Sequence, residues 1–177
     1  MKHIVILIGQ PQKKRKHEPL VPPISARSRR GRPQRTLYPP GGKTHRLLPG
    51  LRRLYAQRRS LHPEDDMEGI LCAFQQADVV VLATPVYFYG VSAQMKACID
   101  RTYPIWQHLG RKEVYYIVSA GLGEDIIARS LGDLDGFVEH FEQYEIKGRL
   151  YAPNVMEAGA VRTQPVMEAA YQAGLHV

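Results

Sequence analysis

The stretch "ADVVVLATPVYFYGVSAQMKACIDR", residues 77–101, decides the fold. It starts as an apolar, β-branched run, passes through a proline, three aromatic residues and a glycine, and then takes on helical spacing. A run that is apolar on both faces is typical of a strand buried in a parallel sheet. Ser92 is a suitable N-cap for the helix. The stretch therefore predicts a strand, a loop and a helix in direct succession.

The same alternation recurs along the chain. Short apolar runs predict further strands at residues 2–8, 113–121 and 145–153, and amphipathic spacing predicts further helices at residues 65–77, 124–144 and 165–175. Strands that alternate with helices imply βαβ units. We predict one α/β domain over residues 1–177, with a doubly wound, mostly parallel sheet and an irregular basic insert at residues 13–61.

Three loops are expected to meet at the carboxyl ends of these strands, where such sheets bind ligands: residues 9–12, 84–90 and 119–123. In the second loop, at least one of the rings of Tyr87, Phe88 and Tyr89 should line a cleft suited to a planar heteroaromatic ligand. The alternative is that these rings only cover the edge of the core. The third loop, "SAGLG", offers backbone amides with little side-chain obstruction.

Several classes of function find no support in the sequence. The three loops contain neither a catalytic triad nor facing carboxylates, so we assign no catalytic side chain. The seven histidines are scattered, and Cys72 and Cys98 lie in apolar helical patterns that predict buried thiols, so we assign no metal ligand. No apolar run approaches the ~20 residues that span a bilayer. The amino-terminal residues lack the features of a secretory signal, and we expect a cytoplasmic protein.

The net charge of +7 is distributed unevenly. Residues 12–62 hold 15 Lys and Arg against one acid, whereas the remainder holds 9 against 16. A basic arm that contacts nucleic acid is one interpretation, but the segment has no aromatic residues to stack on bases beyond Tyr38 and Tyr55. We favour an interpretation without nucleic acid.

Residues 77–101 closely resemble the central loop of the flavodoxin-like NAD(P)H-dependent FMN reductases and multimeric flavodoxins. The stretches "DDMEGI", "IVSAG", "GRLYAPNVMEAG" and "PVMEAAYQAG" are also similar to that family. The resemblance covers residues 1–11 and about 63–177. It implies a five-stranded parallel sheet, non-covalent FMN, NAD(P)H as electron donor, a small-molecule or protein acceptor, and association as a homodimer or tetramer.

The resemblance also implies a binding site at the three loops. The FMN ring would lie along the second and third loops, and the FMN phosphate would lie in the loop after Gly9. The candidate cofactor-binding residues are Gly9, Gln10, Pro11, Thr84, Pro85, Val86, Tyr87, Phe88, Gly90, Ser119, Ala120 and Gly121. Because a flavin carries the redox chemistry itself, the lack of a catalytic dyad is expected.

Residues 13–61 depart from the family, which has there a phosphate loop resembling G-S-P-x-x-x-G-N-T, a first helix, a second strand and often a cysteine-rich stretch. Codons for "KRKHEP", residues 14–19, permit Ser-Gly-Asn-Thr-Asn when read one nucleotide later. The same shift in residues 45–59 permits Ile-Gly-Tyr-Cys-Gln-Ala-Cys-Asp-Ala-Cys-Met-Arg-Asn-Gly. We therefore hypothesise that this segment is translated out of frame.

Two functional expectations follow. The architecture predicts an FMN-dependent oxidoreductase that passes electrons from NAD(P)H to a small acceptor. The departure predicts weak or absent FMN binding by this chain, which would then be a frame-disrupted, inactive remnant of a reductase. A missing first helix and second strand would also leave one face and one edge of the sheet uncovered.

Overall fold

The computed structural model describes residues 2–9, 34–38, 67–157 and 159–177, with only the backbone described for 34–38. The strands are β1 (His3–Ile8), β2 (Gln34–Tyr38), β3 (Val79–Tyr87), β4 (Gly90–Val91), β5 (Arg111–Ser119) and β6 (Gln143–Ala152). The helices are α1 (Met67–Gln76), α2 (Ala93–Arg101), α3 (Glu124–Val138) and α4 (Val166–His176), with 3₁₀ turns at Tyr103–His108 and Ala160–Thr163.

The sheet has the order β2-β1-β3-β5-β6, and all of these neighbours are parallel. The short β4 pairs with β3 in the antiparallel sense. The strand order reverses between β1 and β3, which is the switch point where doubly wound sheets bind ligands. The predicted fold class, an α/β protein with a doubly wound parallel sheet, is confirmed.

Alternate residues of the central strands face two separate cores. Val5 and Val80 face one core, which α1, α2 and α3 cover. Ile4 and Val79 face the other core, which α4 covers. Burial on both faces explains why these strands read as continuous apolar runs instead of alternating patterns.

Three phenylalanine rings pack α1 against α3 within the larger core. The ring of Phe74 lies 5.9 Å from that of Phe137 and 6.3 Å from that of Phe141, measured between centroids. The rings of Phe137 and Phe141 are 5.1 Å apart and nearly perpendicular. Such tilted and edge-on ring contacts each contribute ~1 kcal/mol beyond the effect of the buried area.

Lys112 of β5 lies almost wholly buried against the carboxyl end of α1. Its Nζ donates hydrogen bonds to the carbonyl oxygens of Ala77, at 2.6 Å, and Gln75, at 3.1 Å. Burial lowers the pKa of this amine, and the nearby Asp78 opposes the shift. Because the last turn of α1 contains no basic residue, Lys112 supplies the positive group that a helix carboxyl end favours.

The prediction that an irregular segment replaces the second strand is wrong for residues 34–38. These residues form β2, and Gln34 to Tyr38 pair in register with His3 to Leu7 of β1. Parallel backbone pairing needs few apolar side chains at a sheet edge, so a strand forms within a basic segment. The remaining residues of the segment, including the expected loss of the first helix, lie outside the described residues.

Among the described residues, no helix is long and apolar enough to cross a membrane. Over the same ranges, no three His, Cys, Asp or Glu side chains are grouped so as to hold a metal ion. Cys98 is buried on the inner face of α2, as predicted, whereas Cys72 on α1 is exposed, so the prediction of a buried thiol is wrong there.

We expect the free energy of unfolding to fall as the pH rises above about 9 to 10, where Cys and Tyr ionise in an unfolded chain. Burial raises the pKa of the Cys98 thiol to about 12, with Arg101 opposing the shift. Burial also raises the pKa values of Tyr115, Tyr116 and Tyr151. In this window the folded state keeps protons that the unfolded state has lost, so folding weakens as pH rises.

Urea unfolding at pH 7, 9, 10 and 11 would measure this dependence. Because the pKa of Lys112 is lowered, its deprotonation makes the free energy of unfolding rise with pH up to its ordinary pKa of 10.5. The overall decline in the free energy of unfolding should therefore be steepest above that pH. In the Cys98→Ala variant the decline should be shallower. Stability that stays flat up to pH 11 would contradict this expectation.

Candidate functional site

The register of the sheet brings the ends of β1, β3 and β5 to one edge, which we call the carboxyl edge. Ile8 is level with Ala83, and the Gly9 amide donates to the Ala83 carbonyl oxygen at 2.7 Å. Pro85 is level with Ser119 on the neighbouring strand. The carboxyl ends of β1, β3 and β5 therefore lie side by side, as the sequence predicts. The predicted loop 84–90 is wrong at its start, because β3 continues to Tyr87 and pairs there with β4.

A tight hairpin turn projects from this edge at residues 87–90, which we call the aromatic turn. Tyr87 pairs with Gly90 across the antiparallel β3–β4 ladder, so Phe88 and Tyr89 are the two central residues. Both have left-handed backbones, with φ of 47° and 65°. Positive φ at both central residues defines the type I′ turn, which normally takes Asn or Gly. Two aromatic residues therefore hold a conformation that their side chains disfavour.

The aromatic turn carries exposed rings. Phe88 is 102% exposed, and Tyr87 and Tyr89 are about half exposed. These rings therefore lie outside the core. That one of them lines a cleft for a planar ligand, and does more than cover the edge of the core, stays a prediction. Among the described residues six large apolar or aromatic side chains are exposed: Tyr87, Phe88, Tyr89, Leu122, Tyr144 and Met156. All but Tyr144 lie at the carboxyl edge, which makes this edge the main exposed apolar surface of the described chain.

Helix α3 supports the aromatic turn from one side. The guanidinium of Arg129 lies 4.9 Å from the centre of the Tyr89 ring, within the range of a cation–π contact. A carboxylate oxygen of Asp133 accepts a hydrogen bond from the Val91 amide at 3.2 Å. These contacts, made by residues distant in sequence, help to hold the strained turn in place.

The hydroxyl of Thr84 connects β3 to the start of α2. It accepts a hydrogen bond from the Ser92 amide at 3.1 Å and donates one to the Pro85 carbonyl oxygen at 2.9 Å. The Ser92 hydroxyl in turn accepts from the Met95 amide at 3.2 Å, which is the predicted N-cap. Because its hydroxyl is engaged internally, Thr84 positions the loop that follows it.

The structure divides the candidate residues into a buried floor and an accessible surface. The floor consists of Gly9, Thr84, Pro85, Ser119 and Ala120, and the accessible residues are Val86, Tyr87, Phe88, Gly90 and Gly121. Gln10 and Pro11 lie outside the described residues. A ligand at this edge would rest on the accessible set, while the floor fixes the loops beneath it.

Sequence reasoning missed three residues at the edge: Leu122, Arg129 and Met156. Leu122 lies within the predicted third loop, and Met156 lies within "GRLYAPNVMEAG", yet neither was assigned to the site. Nothing in the local sequence marks Arg129, because it reaches Tyr89 only through the packing of α3.

A cavity of about 590 Å³ lies between α2, the 3₁₀ turn Tyr103–His108 and α3. Tyr103, Trp106 and Phe137 are among the residues that line it. Its polar groups already have partners within the chain, since Lys96 pairs with Asp100 and the His140 ring bonds the Gly136 carbonyl oxygen. We assign no ligand to this cavity.

We expect Phe88→Gly to stabilise the protein by about 1 kcal/mol, because glycine adopts a φ of 47° without the steric penalty that phenylalanine has. The side chain of Phe88 makes little contact that would be lost, since it is fully exposed. Urea unfolding would measure the gain. Phe88→Ala is the matched control, because it removes the ring and keeps the strain. Equal stability of the two variants would show that the turn is not strained at this residue.

The chain is similar to known proteins in sequence and in fold. The model of the NADPH-dependent FMN reductase family matches residues 3–152. An iron-sulfur flavoprotein of Methanocaldococcus jannaschii is 49% identical over 41 residues, which are 23% of this chain and 21% of that protein. An iron-sulfur flavoprotein of Archaeoglobus fulgidus is 40% identical over 63 residues, 34% of this chain and 29% of that protein. The matched region thus spans less than a third of either curated relative.

Among solved structures, the NAD(P)H:quinone oxidoreductase from Methanothermobacter marburgensis superimposes with a TM-score of 0.69 at 16% identity, covering 98% of this chain and 95% of that one. At this identity the likeness shows the fold. The family match extends over most of the chain and includes β1, the aromatic turn and β5. The chain belongs to the NADPH-dependent FMN reductase family.

Proposed function

We propose that the carboxyl edge binds FMN without a covalent bond, and that the protein passes electrons from NAD(P)H through this flavin to a small acceptor. The observation that carries the proposal is the concentration of exposed apolar side chains at the carboxyl edge, beyond the ends of β3, β5 and β6. A folded protein rarely leaves such a patch without a binding role. The family match supports FMN as the cofactor and NADPH or NADH as the donor.

The residues at this edge suit the ring part of FMN. Tyr87 and Phe88 offer faces for stacking, and Gly121 contributes no side chain of its own beside the edge of a flat heterocycle. Gly9 begins the loop in which the FMN phosphate would lie, and the rest of that loop is outside the described residues. The ring-binding half of the proposal therefore rests on geometry, and the phosphate-binding half rests on the family.

Bound flavin would supply the redox chemistry, accepting two electrons from the nicotinamide and delivering them to the acceptor. This chain's residues would bind and orient the rings and exclude water from between them. In the overall reaction NAD(P)H, one proton and a quinone give NAD(P)⁺ and a hydroquinone. The proton comes from solvent, so no side chain at the edge has to act as a general acid.

The carboxyl edge suits flat, apolar acceptors better than hydrophilic ones. Its exposed apolar side chains are those of the aromatic turn on one side and of Leu122 and Met156 on the other. Several proteins of similar fold are described as quinone reductases, including the one from Methanothermobacter marburgensis. We therefore propose a quinone-type ring as the acceptor.

Flavin titration and steady-state oxidation of NAD(P)H would test the proposal. FMN fluorescence should be quenched on binding, since stacked rings quench it, and NAD(P)H should be oxidised by a naphthoquinone when FMN is present in excess. Tyr87→Ala should weaken FMN binding about fivefold, a loss of ~1 kcal/mol of stacking. Tyr144→Ala, an exposed aromatic residue on β6 outside these loops, is the matched control. If saturating FMN gives neither quenching of FMN fluorescence nor oxidation of NAD(P)H, the proposal is wrong.

A second candidate is a reductase whose reading frame is disrupted over residues 13–61. Both curated relatives are iron-sulfur flavoproteins, whereas this chain has two cysteines, too few for a cluster held by four thiolates. The shifted reading of residues 45–59 permits three cysteines spaced as C-x-x-C-x-x-C. This agreement supports the frame hypothesis.

Resequencing the coding DNA across codons 12–62 would test the frame directly. Expression with the frame restored should give a chain that binds FMN stoichiometrically and contains iron, whereas the chain as given should bind FMN weakly and contain none. Tight stoichiometric FMN in the present chain would rule out the disrupted-frame interpretation.

A further inference from the structure

Met156 lies on the open backbone of the third loop. Its Sδ atom is 2.5 Å from the position that a Cβ atom on Gly121 would occupy. The thioether therefore lies over the glycine of the third loop, beside the proposed position of the flavin ring. Met156 is nevertheless 66% exposed, so most of its side chain faces outward from the same edge.

The backbone around Met156 is held in place by the loop it covers. The amides of Asn154 and Val155 donate to the carbonyl oxygens of Leu122 and Ala120, at 2.9 and 2.8 Å. Val155 itself is fully buried. Met156 thus emerges from a fixed backbone, and only its side chain is free to adjust.

The strand order places this side chain opposite the aromatic turn. The loops that follow β3, β5 and β6 lie in that order along the sheet, so the loop containing Gly121 separates the aromatic turn from Met156. Leu122, on the intervening loop, is also exposed. A flat molecule bound between the aromatic turn and Met156 would meet aromatic rings on one side and a thioether on the other.

We propose that Met156 is a specificity-determining residue that selects flat, apolar electron acceptors. Methionine suits this role because its unbranched, polarisable side chain adapts to different ring shapes and makes favourable contacts with ring edges. The inference rests on the proposed function, since it assigns acceptor choice to a side chain beside the proposed flavin. Electron transfer itself involves no bond to Met156.

Steady-state kinetics with two acceptors would test the role. Met156→Ala should raise the KM for a naphthoquinone about fivefold to tenfold, the effect of losing one apolar contact. The KM and kcat for ferricyanide, a small hydrophilic acceptor, should stay within twofold. Met156→Leu, which keeps an apolar side chain of similar volume, should restore most of the affinity for the naphthoquinone. Tyr144→Ala should leave the KM and kcat for both acceptors unchanged.

A second readout needs no turnover. Dilute hydrogen peroxide oxidises exposed methionine to the sulfoxide, and mass spectrometry locates the product. Bound oxidised FMN or naphthoquinone should slow oxidation of Met156 severalfold. Met167 on α4, which is partly buried against the other core, is the internal control and should oxidise at an unchanged rate.

The outcomes distinguish the role of Met156 from the proposed function on which it rests. Turnover in the parent chain without protection of Met156, or with equal effects of Met156→Ala on both acceptors, would overturn the role of Met156 and leave the proposed function standing. No turnover and no flavin binding in the parent chain would overturn both.

Discussion

Phe74→Ala is expected to destabilise the protein by about 3–5 kcal/mol, the usual loss when a buried phenylalanine is truncated. Phe74 is fully buried and its ring contacts those of Phe137 and Phe141. The substitution removes the central member of the three rings that fasten α1 to α3, and the surrounding backbone can close only part of the space. Since domains of this size are stable by ~5–15 kcal/mol, the loss is a large fraction of the total.

Urea unfolding followed by circular dichroism would measure this effect. Tyr144→Ala is the matched control, because it deletes an exposed aromatic ring and should change stability by less than ~0.5 kcal/mol. A loss below about 1 kcal/mol in Phe74→Ala would mean that α1 contributes little to the core. In that case the packing described for the larger core would need revision.

Gly9→Ala is expected to destabilise the protein by about 1–3 kcal/mol and to weaken flavin binding as well. A Cβ atom at Gly9 would stand 2.6 Å from the Ser92 Oγ atom and 2.7 Å from the Met95 Cβ atom. Both are buried in the first turn of α2, so neither can rotate away as the end of a long side chain could. The helix must shift, and its shift disturbs the Ser92 amide that bonds Thr84 in the floor of the site.

The same exchange at Gly132 provides a control of opposite sign. A Cβ atom there meets nothing within 4 Å, and the residue lies within α3. Gly132→Ala should therefore stabilise the protein by about 0.5–1 kcal/mol, because alanine loses less backbone entropy in a helix. Thermal unfolding of both variants, with FMN titration of each, would measure the contrast. A neutral Gly9→Ala would show that β1 and α2 are less closely packed than the distances indicate.

The strand, turn and helix at residues 77–101 could be predicted because their signals are local. The apolar run, the N-cap Ser92 and the helical spacing each lie within a few residues of the element that they specify. The predicted end of the third helix, at residue 144, is wrong, because α3 ends at Val138 and β6 begins at Gln143. Apolar spacing continues to Phe141 because that ring packs into the core from the connecting turn.

Strand β2 could not be predicted from its own residues. The sequence "QRTLY" has two apolar side chains and lies among Lys, Arg and Pro residues that favour irregular structure. Its backbone is specified by the partner strand β1, so the information is tertiary.

The candidate site was predictable in outline and not in detail. Strand ends identify the loops at the carboxyl edge, and their aromatic composition indicates a binding surface. The contacts of Arg129 with Tyr89 and of Met156 with Gly121 join residues far apart in the chain, so they depend on how the elements pack. That these residues bind flavin stays a prediction that the titrations would test.

The hydrogen bonds from Asn154 and Val155 to the third loop have a consequence for binding entropy. Hydrogen bonds between the two loops restrain both backbones, so part of their conformational entropy is already lost before any molecule arrives. Association then requires little further ordering of the main chain, and a larger part of the contact energy appears as affinity.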